Sequence, residues 1–415
     1  MVAKQIEDIV ENADRKQSKP RGSSTQAVHA GASRRKAHAS LNTPIVQTAT
    51  YTFGDTADLV DFMESKTWGD GHHGREEYGR YGNPTVSAVE QRIAALDKAE
   101  DAVLFASGMN AVTTLLLTVL PTGAHIIMTK DCYRRTRQFC QTFLARLGIE
   151  TTVVDCGDYD AIEAAIIPRR TRFIVSESPT NPYLRIADLE RIAAIGKQNR
   201  VLTMIDSTFA TPVNQRPIEW GIDFVLHSAT KYLSGHNDVL AGSVSGRADR
   251  IKALRDSRGV LGGVVDPQNA YLVERGIKTL GIRVRQQNAS ALKLAHFLES
   301  HPKIERVWYP GLASHPDHET AARQMDGFGG VISFEVAGDL ERTGKFIDAL
   351  RIPYIAPSLG GVESLIEQPA LMSFYEKTTE ERLELGIKDN LVRFAVGIED
   401  TDDLLADLEQ GLAAI

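Results

Sequence analysis

The sequence predicts an α/β protein built on a mostly parallel seven-stranded sheet, with a smaller α+β domain toward the C-terminus. Three observations carry this. Between about Pro84 and Gly246, short β-branched apolar runs alternate with longer helical patterns, which is how a sheet assembled from βα units reads. Several runs are apolar without interruption, as strands covered on both faces are. After about Arg283 the texture changes to a long amphipathic helix pattern, then strand-like runs with helices between them.

In chain order, Met1 to Pro20 mixes acidic residues (Glu7, Asp8, Glu11, Asp14) with basic ones, unlike a signal or transit peptide. A short helix or a mobile arm is expected there. Residues 1–75 as a whole read as an arm and loops, because they are polar and irregular and Trp68 to Arg75 holds three glycines. Residues 76–282 are expected to form the large domain. Its candidate strands are Ala102 to Ala106, His125 to Thr129, Thr151 to Val154, Arg172 to Ser176, Leu202 to Asp206, Ile222 to His227 and Gly242 to Gly246. Its helix candidates include Asn83 to Asp97, Tyr133 to Leu147 and Ala187 to Gln198. Residues 283–415 form the second domain, with strands expected at Ile304 to Trp308, Val331 to Val336 and Leu391 to Val396.

Bulk properties narrow the function. The 415 residues are 42% hydrophobic and 24% charged, an ordinary soluble composition. A net charge of -7 argues against nucleic acid or an anionic membrane as partner, since either would want surplus Lys and Arg. Three cysteines (Cys132, Cys140, Cys156) are too few for a disulfide framework, so a reducing, cytoplasmic setting is expected. No apolar run is long enough to span a bilayer.

The strongest chemical signal is His227-Ser228-Ala229-Thr230-Lys231-Tyr232, directly after a buried strand. Open α/β sheets place ligands at such strand ends. Hydroxyls at Ser228 and Thr230 flank the lysine at a spacing suited to a phosphate. An isolated loop lysine is usually a solvated cation, so its companions decide the matter. Asp206 ends another strand and could keep a pyridinium nitrogen protonated, although an Asp there is often a cap. Ser107-Gly108-Met109 sits at a strand-to-helix turn whose free N–H groups would bind a phosphate.

Together these residues resemble the pyridoxal 5'-phosphate (PLP)-dependent enzymes of cysteine and methionine metabolism, a family that includes cystathionine γ-synthase, cystathionine lyases and methionine γ-lyase. The resemblance runs from about Ser24 to the C-terminus. It rests on Tyr78 to Thr85, Ser107 to Met109, Glu177 to Pro182, Ile205-Asp206, Ser228 to Lys231, Ser358 to Gly361 and Leu391 to Arg393, in that order. It implies a fold-type I PLP enzyme in which Lys231 carries the cofactor as a Schiff base and Asp206 pairs with the ring nitrogen. Ser228, Thr230, Gly108 and Met109 would hold the phosphate, with Tyr78 and Arg80 reaching in from a neighbouring subunit of a homotetramer made of two dimers. Tyr133 matches the tyrosine that stacks on the ring and assists proton transfer, and Asn181 the residue near the ring hydroxyl. Arg393 matches the arginine that grips the substrate carboxylate, with Ser358 beside it.

One run departs from most members: Cys132-Tyr133-Arg134-Arg135-Thr136-Arg137, where small residues are usual. It reads either as a solvated basic helix start or as a site for a substrate anion, with Arg135 as candidate. With Gly235 to Asp238 and Ile352 to Ser358, it looks most like the plant-type branch of cystathionine γ-synthase. That branch uses O-phosphohomoserine and L-cysteine to make L-cystathionine. Glu363-Ser364 is shared by γ-synthases and γ-lyases, so Glu363 is a substrate-site candidate and γ-elimination stays open as the alternative.

Other signals are weaker. Ser228-x-x-Lys231 also fits a serine acyl enzyme, but Lys278-Thr279 is followed by Leu280 instead of glycine and no Ser-Asp-Asn is present. His72-His73 and His315-Pro316-Asp317-His318 lack a completing ligand set, so no metal is expected. Gly327-Phe328-Gly329-Gly330 lacks the Lys-Ser/Thr of a P-loop and reads as a turn. Intact Lys231, Asp206 and Arg393 count against a catalytically dead relative.

Overall fold

The computed structural model describes residues 22–33, 35–69 and 76–415; Met1 to Pro20, His72 and His73 lie outside them. The large sheet holds β1 (Asp101–Phe105), β2 (His125–Thr129), β3 (Glu150–Val154), β4 (Thr171–Glu177), β5 (Leu202–Asp206), β6 (Phe224–His227) and β7 (Gly242–Gly246). Their spatial order is β1-β7-β6-β5-β4-β2-β3, and only β7 opposes the common direction. Alternation within β2 shows why these strands read as unbroken apolar runs. Ile126 and Met128 enter one core with Phe173, Val175 and Phe224, while Ile127 joins Ile174, Ile192 and Ile205 in another. Because both faces are dry, successive residues must both be apolar.

The shared direction brings the C-terminal ends of β1, β2, β4, β5 and β6 to one edge of the sheet. Phe105, Thr129, Glu177, Asp206 and His227 are their last residues. Ligands of open α/β sheets bind at that edge.

The smaller α+β domain carries β8 (Ile304–Trp308), β9 (Val331–Val336), β10 (Tyr354–Ile355), β11 (Leu365–Glu367) and β12 (Leu391–Ala395), in the order β10-β11-β12-β9-β8. The helix Leu280–Ser300 leads into it. That helix turns Ala291, Leu294, Ala295 and Leu298 onto a core shared with Phe334, Phe346 and Phe394. Their i, i+3, i+4, i+7 spacing is one helical face. Completely burying each phenylalanine is worth roughly 1.5–3 kcal/mol.

Five elements differ from the sequence expectation. The stretch read as arm and loops contains the helices Ser23–His29 and Thr56–Trp68. The first is tied down by Arg92, whose Nη1 donates to Ala27 O at 2.6 Å and Val28 O at 2.8 Å. The second is capped by Asp55, which accepts from Asp58 N at 2.9 Å. The single helix expected over Tyr133 to Leu147 is broken into Arg134–Gln138, a π turn Phe139–Phe143 and a 3-10 turn Leu144–Leu147. There Thr142 Oγ1 donates to Gln138 O at 2.6 Å, a side-chain bond to the i−4 carbonyl that competes with the helical ladder. Finally, β10 and β11 are too short for any periodicity to announce them.

Candidate active site

A cavity of about 670 Å³ opens at the C-terminal edge of the large sheet and is closed on its far side by the smaller domain. Its walls bring together Gly108, Met109, Tyr133, Arg135, Asn181, Asp206, Ser228, Thr230, Lys231, Ser358 and Arg393, eleven residues that the sequence placed in six separate motifs and the basic run. Three sequence candidates lie elsewhere. Tyr78 and Arg80 line a second, shallower groove with Gln47, Thr48 and Asp266. Glu363 is exposed and accepts from Asn237 Nδ2 at 2.8 Å.

Lys231 follows β6 through a turn in which its N–H donates to Ser228 O at 3.0 Å. Its Nζ donates to Ser358 Oγ at 2.7 Å. Burial, reinforced by the positive charge of Arg393 and opposed by Glu367, pushes its pKa from 10.5 down to about 8. A lysine so placed keeps a substantial neutral, nucleophilic fraction near neutral pH. Ser358 has φ +103°, a left-handed backbone that a serine seldom adopts, and this presents its hydroxyl to Lys231 and its carbonyl to Arg393.

Asp206 ends β5 and accepts from both the backbone N–H of Thr208, at 3.0 Å, and its hydroxyl. Burial lifts the Asp206 carboxyl above the usual carboxylate range, against Thr208 and the nearby His227. His227 is fully buried on β6, where Asp97 Oδ1 lies 3.0 Å from its Nε2. Burial works against a charge on His227, yet Asp97 more than offsets it, so the ring's pKa is raised. Ser245 Oγ donates to the other Asp97 oxygen at 2.6 Å. Asp97 thus favours protonation of His227, and a charge there would favour the ionised form of Asp206 against burial.

The helix Gly108–Val119 starts at the cavity. Ser107 caps it by accepting from Asn110 N at 3.1 Å, which leaves the N–H groups of Gly108 and Met109 without intrahelical partners. Glycine is needed for this close packing: a Cβ on Gly242 would stand 2.3 Å from Ser107 O, and one on Gly108 3.0 Å from Ser228 Oγ. Two free amides, a helix dipole and the hydroxyls of Ser228 and Thr230 make an anion cradle. Thr230 Oγ1 is also used locally, donating to Ala241 O at 3.1 Å.

Arg393 lies on β12, buried, donating to Asn181 Oδ1 at 3.2 Å and Ser358 O at 2.9 Å, while its Nε has no protein partner. Tyr133 is 47% exposed and anchored by its N–H, which donates to Glu177 Oε2 at 2.8 Å. Glu177 and Glu367 were given no role in the sequence reading. Glu177 pairs in register with Asp206, and burial followed by the Asp206 charge pushes its carboxyl well up. Glu367 Oε1 stands 3.0 Å from Arg393 Nη2. His315 and His318 face the backbone carbonyls of Tyr183 and Pro310, and Gly327 to Gly330 form a bend into β9.

An amine of depressed pKa, a carboxylate at a neighbouring strand end and an anion cradle at a helix start are what a pyridine aldehyde phosphate requires. The unpartnered Nε of buried Arg393 leaves one donor for a second anion. These residues fit PLP with an amino-acid substrate. The chain belongs to the Cys/Met metabolism PLP-dependent enzyme family, which it matches over residues 24–413. It is 52% identical over 375 residues to cystathionine gamma-synthase 1, chloroplastic, of Arabidopsis thaliana, covering 90% of this chain and 66% of that protein. The chain thus spans about two thirds of that plant relative. It is 42% identical to L-methionine gamma-lyase of Fusobacterium nucleatum subsp. polymorphum, covering 96% of this chain and 100% of that one. The crystal structure of metB from Corynebacterium glutamicum superposes with a TM-score of 0.87 at 39% identity, covering 95% of this chain and 98% of that one. Relatives named for synthesis and for elimination both match, so the family defines a class of chemistry and not one reaction.

Proposed function

We propose that this protein is a cystathionine γ-synthase that replaces the phosphate of O-phosphohomoserine with the thiol of L-cysteine, giving L-cystathionine. The γ C–O bond breaks and phosphate leaves with the electron pair. A γ C–S bond forms, and the thiol proton is released. When bound, PLP supplies an electron sink for a carbanion at the substrate Cα. Lys231 would carry it covalently, Asp206 would face its ring nitrogen, and Gly108, Met109, Ser228 and Thr230 would hold its phosphate. Lys231 Nζ is the base for the Cα proton and, with Tyr133 Oη, returns protons at the end. Arg393 orients the substrate through its α-carboxylate.

The observation that carries the choice of donor is the basic turn at the cavity wall. Arg134, Arg135 and Arg137 all line the cavity, where a dianionic leaving group would be stabilised. Arg134 is partly engaged by Ser373 O, at 2.8 Å, and Arg137 by Lys130 O, at 3.0 Å. Arg135 is exposed and bonds only its neighbour Gln138, at 2.8 Å, among the described residues. As part of this reading the enzyme is cytoplasmic and works as a homotetramer, with Tyr78 and Arg80 completing the phosphate site of a neighbouring subunit.

The test is a donor panel of O-phospho-, O-succinyl- and O-acetylhomoserine, each with and without cysteine, beside cystathionine and methionine alone, with products identified by mass. Cystathionine formed best from the phosphate ester is expected. The likeness to a methionine γ-lyase along its whole length supports a second reading, γ-elimination. That reading takes over if 2-oxobutanoate forms from methionine or cystathionine alone and no ester yields cystathionine.

A further inference from the structure

The arginine assigned to the substrate carboxylate already holds a carboxylate of the protein. Strand register is the cause: β11 runs antiparallel to β12 with Glu367 directly opposite Arg393, so both side chains leave the sheet on the same face. Glu367 Oε1 stands 3.0 Å from Arg393 Nη2, with side-chain exposures of 4% and 7%. Both residues line the Lys231 cavity. Arg393 is also bonded to Asn181 and Ser358, which leaves Nε as its one unpartnered nitrogen.

An amino acid docking on Arg393 therefore brings a second carboxylate to one buried guanidinium. Two carboxylates sharing a site cannot both stay ionised cheaply, because their repulsion is poorly screened there. The charged groups facing Glu367 are Arg393 on β12 and Lys231 after β6; Tyr232 and Tyr133 bear on it through Arg393. Burial already lifts the Glu367 carboxyl above its ordinary range, while Arg393 and then Lys231 hold it down. An arriving anion that engages Arg393 removes the larger of the two restraints.

We propose that Glu367 is a positioning residue that couples docking of the substrate carboxylate on Arg393 to the uptake of one proton. In the free site Glu367 compensates the arginine and holds its guanidinium in place. In the complex Glu367 becomes a neutral acid and yields the charge pairing to the substrate. The sign of this linkage follows directly: binding raises the pKa of Glu367, so its contribution to affinity is largest at low pH. It weakens by up to about tenfold per pH unit between the free and bound pKa values, the slope for one linked proton. A buried ion pair of purely structural purpose would leave affinity independent of this proton. The inference rests on Arg393 being the carboxylate site of the proposed function.

The test is calorimetric titration of the PLP-loaded enzyme at pH 7 in buffers of different ionisation enthalpy, which counts protons exchanged. L-norvaline, which has no γ leaving group, is compared with butylamine, which has the same amine and no carboxylate. Norvaline should take up about one proton more than butylamine, and the excess should vanish in Glu367→Gln and persist in Glu367→Asp. An equal proton count for the two ligands in the unaltered enzyme would overturn the proposal without any variant. So would an excess that survives in Glu367→Gln. If Arg393→Ala binds norvaline as tightly as the unaltered enzyme does, the carboxylate docks elsewhere, and the reading of Arg393 fails together with the proposal.

Discussion

The Lys231 cavity and the Arg80 groove both gather polar residues from motifs of the same resemblance, yet they are built differently. The cavity is assembled within one chain from five strand ends, a helix start and β12, and it holds a buried, mutually compensated pair in Arg393 and Glu367. The groove is a shallow surface feature. There Arg80 lies over the rings of Tyr78 and Tyr81, at 4.8 and 5.4 Å, and donates to Gly259 O at 2.9 Å. The contrast teaches that the large sheet sets Lys231 beside the strand-end carboxylate of Asp206, while Ser358, Arg393 and Glu367 reach the lysine from the smaller domain. A cation presented on the surface acquires a catalytic part only if another subunit brings a cavity to it.

The comparison breaks first at Lys231. Lys231→Ala should lower turnover by at least about a thousandfold and abolish the absorbance of bound cofactor, since nucleophile and base are lost together. A yellow, active variant would refute the cavity as the site. Next comes Arg393→Ala, expected to raise the KM for the homoserine ester roughly a hundredfold, from the loss of about 3 kcal/mol of charge-assisted binding. Unchanged Michaelis constants for every substrate would show that Arg393 does not hold the carboxylate.

The groove yields to a mixing experiment. Arg80→Ala and Lys231→Ala should each be nearly inactive alone, whereas co-refolded subunits should recover about a quarter of normal activity. Half the dimers are then mixed, each with one intact site of two. No recovery above the separate variants would confine each site to one chain. The smallest effect expected is at Arg135: Arg135→Ala should impair O-phosphohomoserine use by about fivefold more than O-acetylhomoserine use, as removal of one partly solvated charge implies. Equal losses with the two esters would exclude a selective contact.

The same contrast explains what could be read from the sequence. Lys231, Asp206 and Ser107 to Met109 are legible because each sits where a strand stops, and strand ends in a parallel sheet share one edge. Arg393 was legible through the family resemblance; its own surroundings in the sequence look like any strand. Glu367 was missed, and Glu177 stood only as the first residue of a family motif with no role, because their importance arises across the sheet, opposite Arg393 and Asp206, and cross-strand register leaves no local pattern. The break after Arg134–Gln138 was missed for a related reason. The apolar spacing of that stretch suits a continuous helix, and no Gly or Pro stands in it to mark the change. For Thr56–Trp68, a single buried residue, Phe62, leaves no apolar stripe to find.

The central claim is that this cavity holds the cofactor through Lys231. Borohydride reduction of the PLP-loaded enzyme, followed by digestion and mass mapping of the fixed pyridoxyl group, tests it directly. The account predicts the label on the peptide containing Lys231 and on no other. A label on a different lysine, or none on an enzyme that remains active, would contradict it.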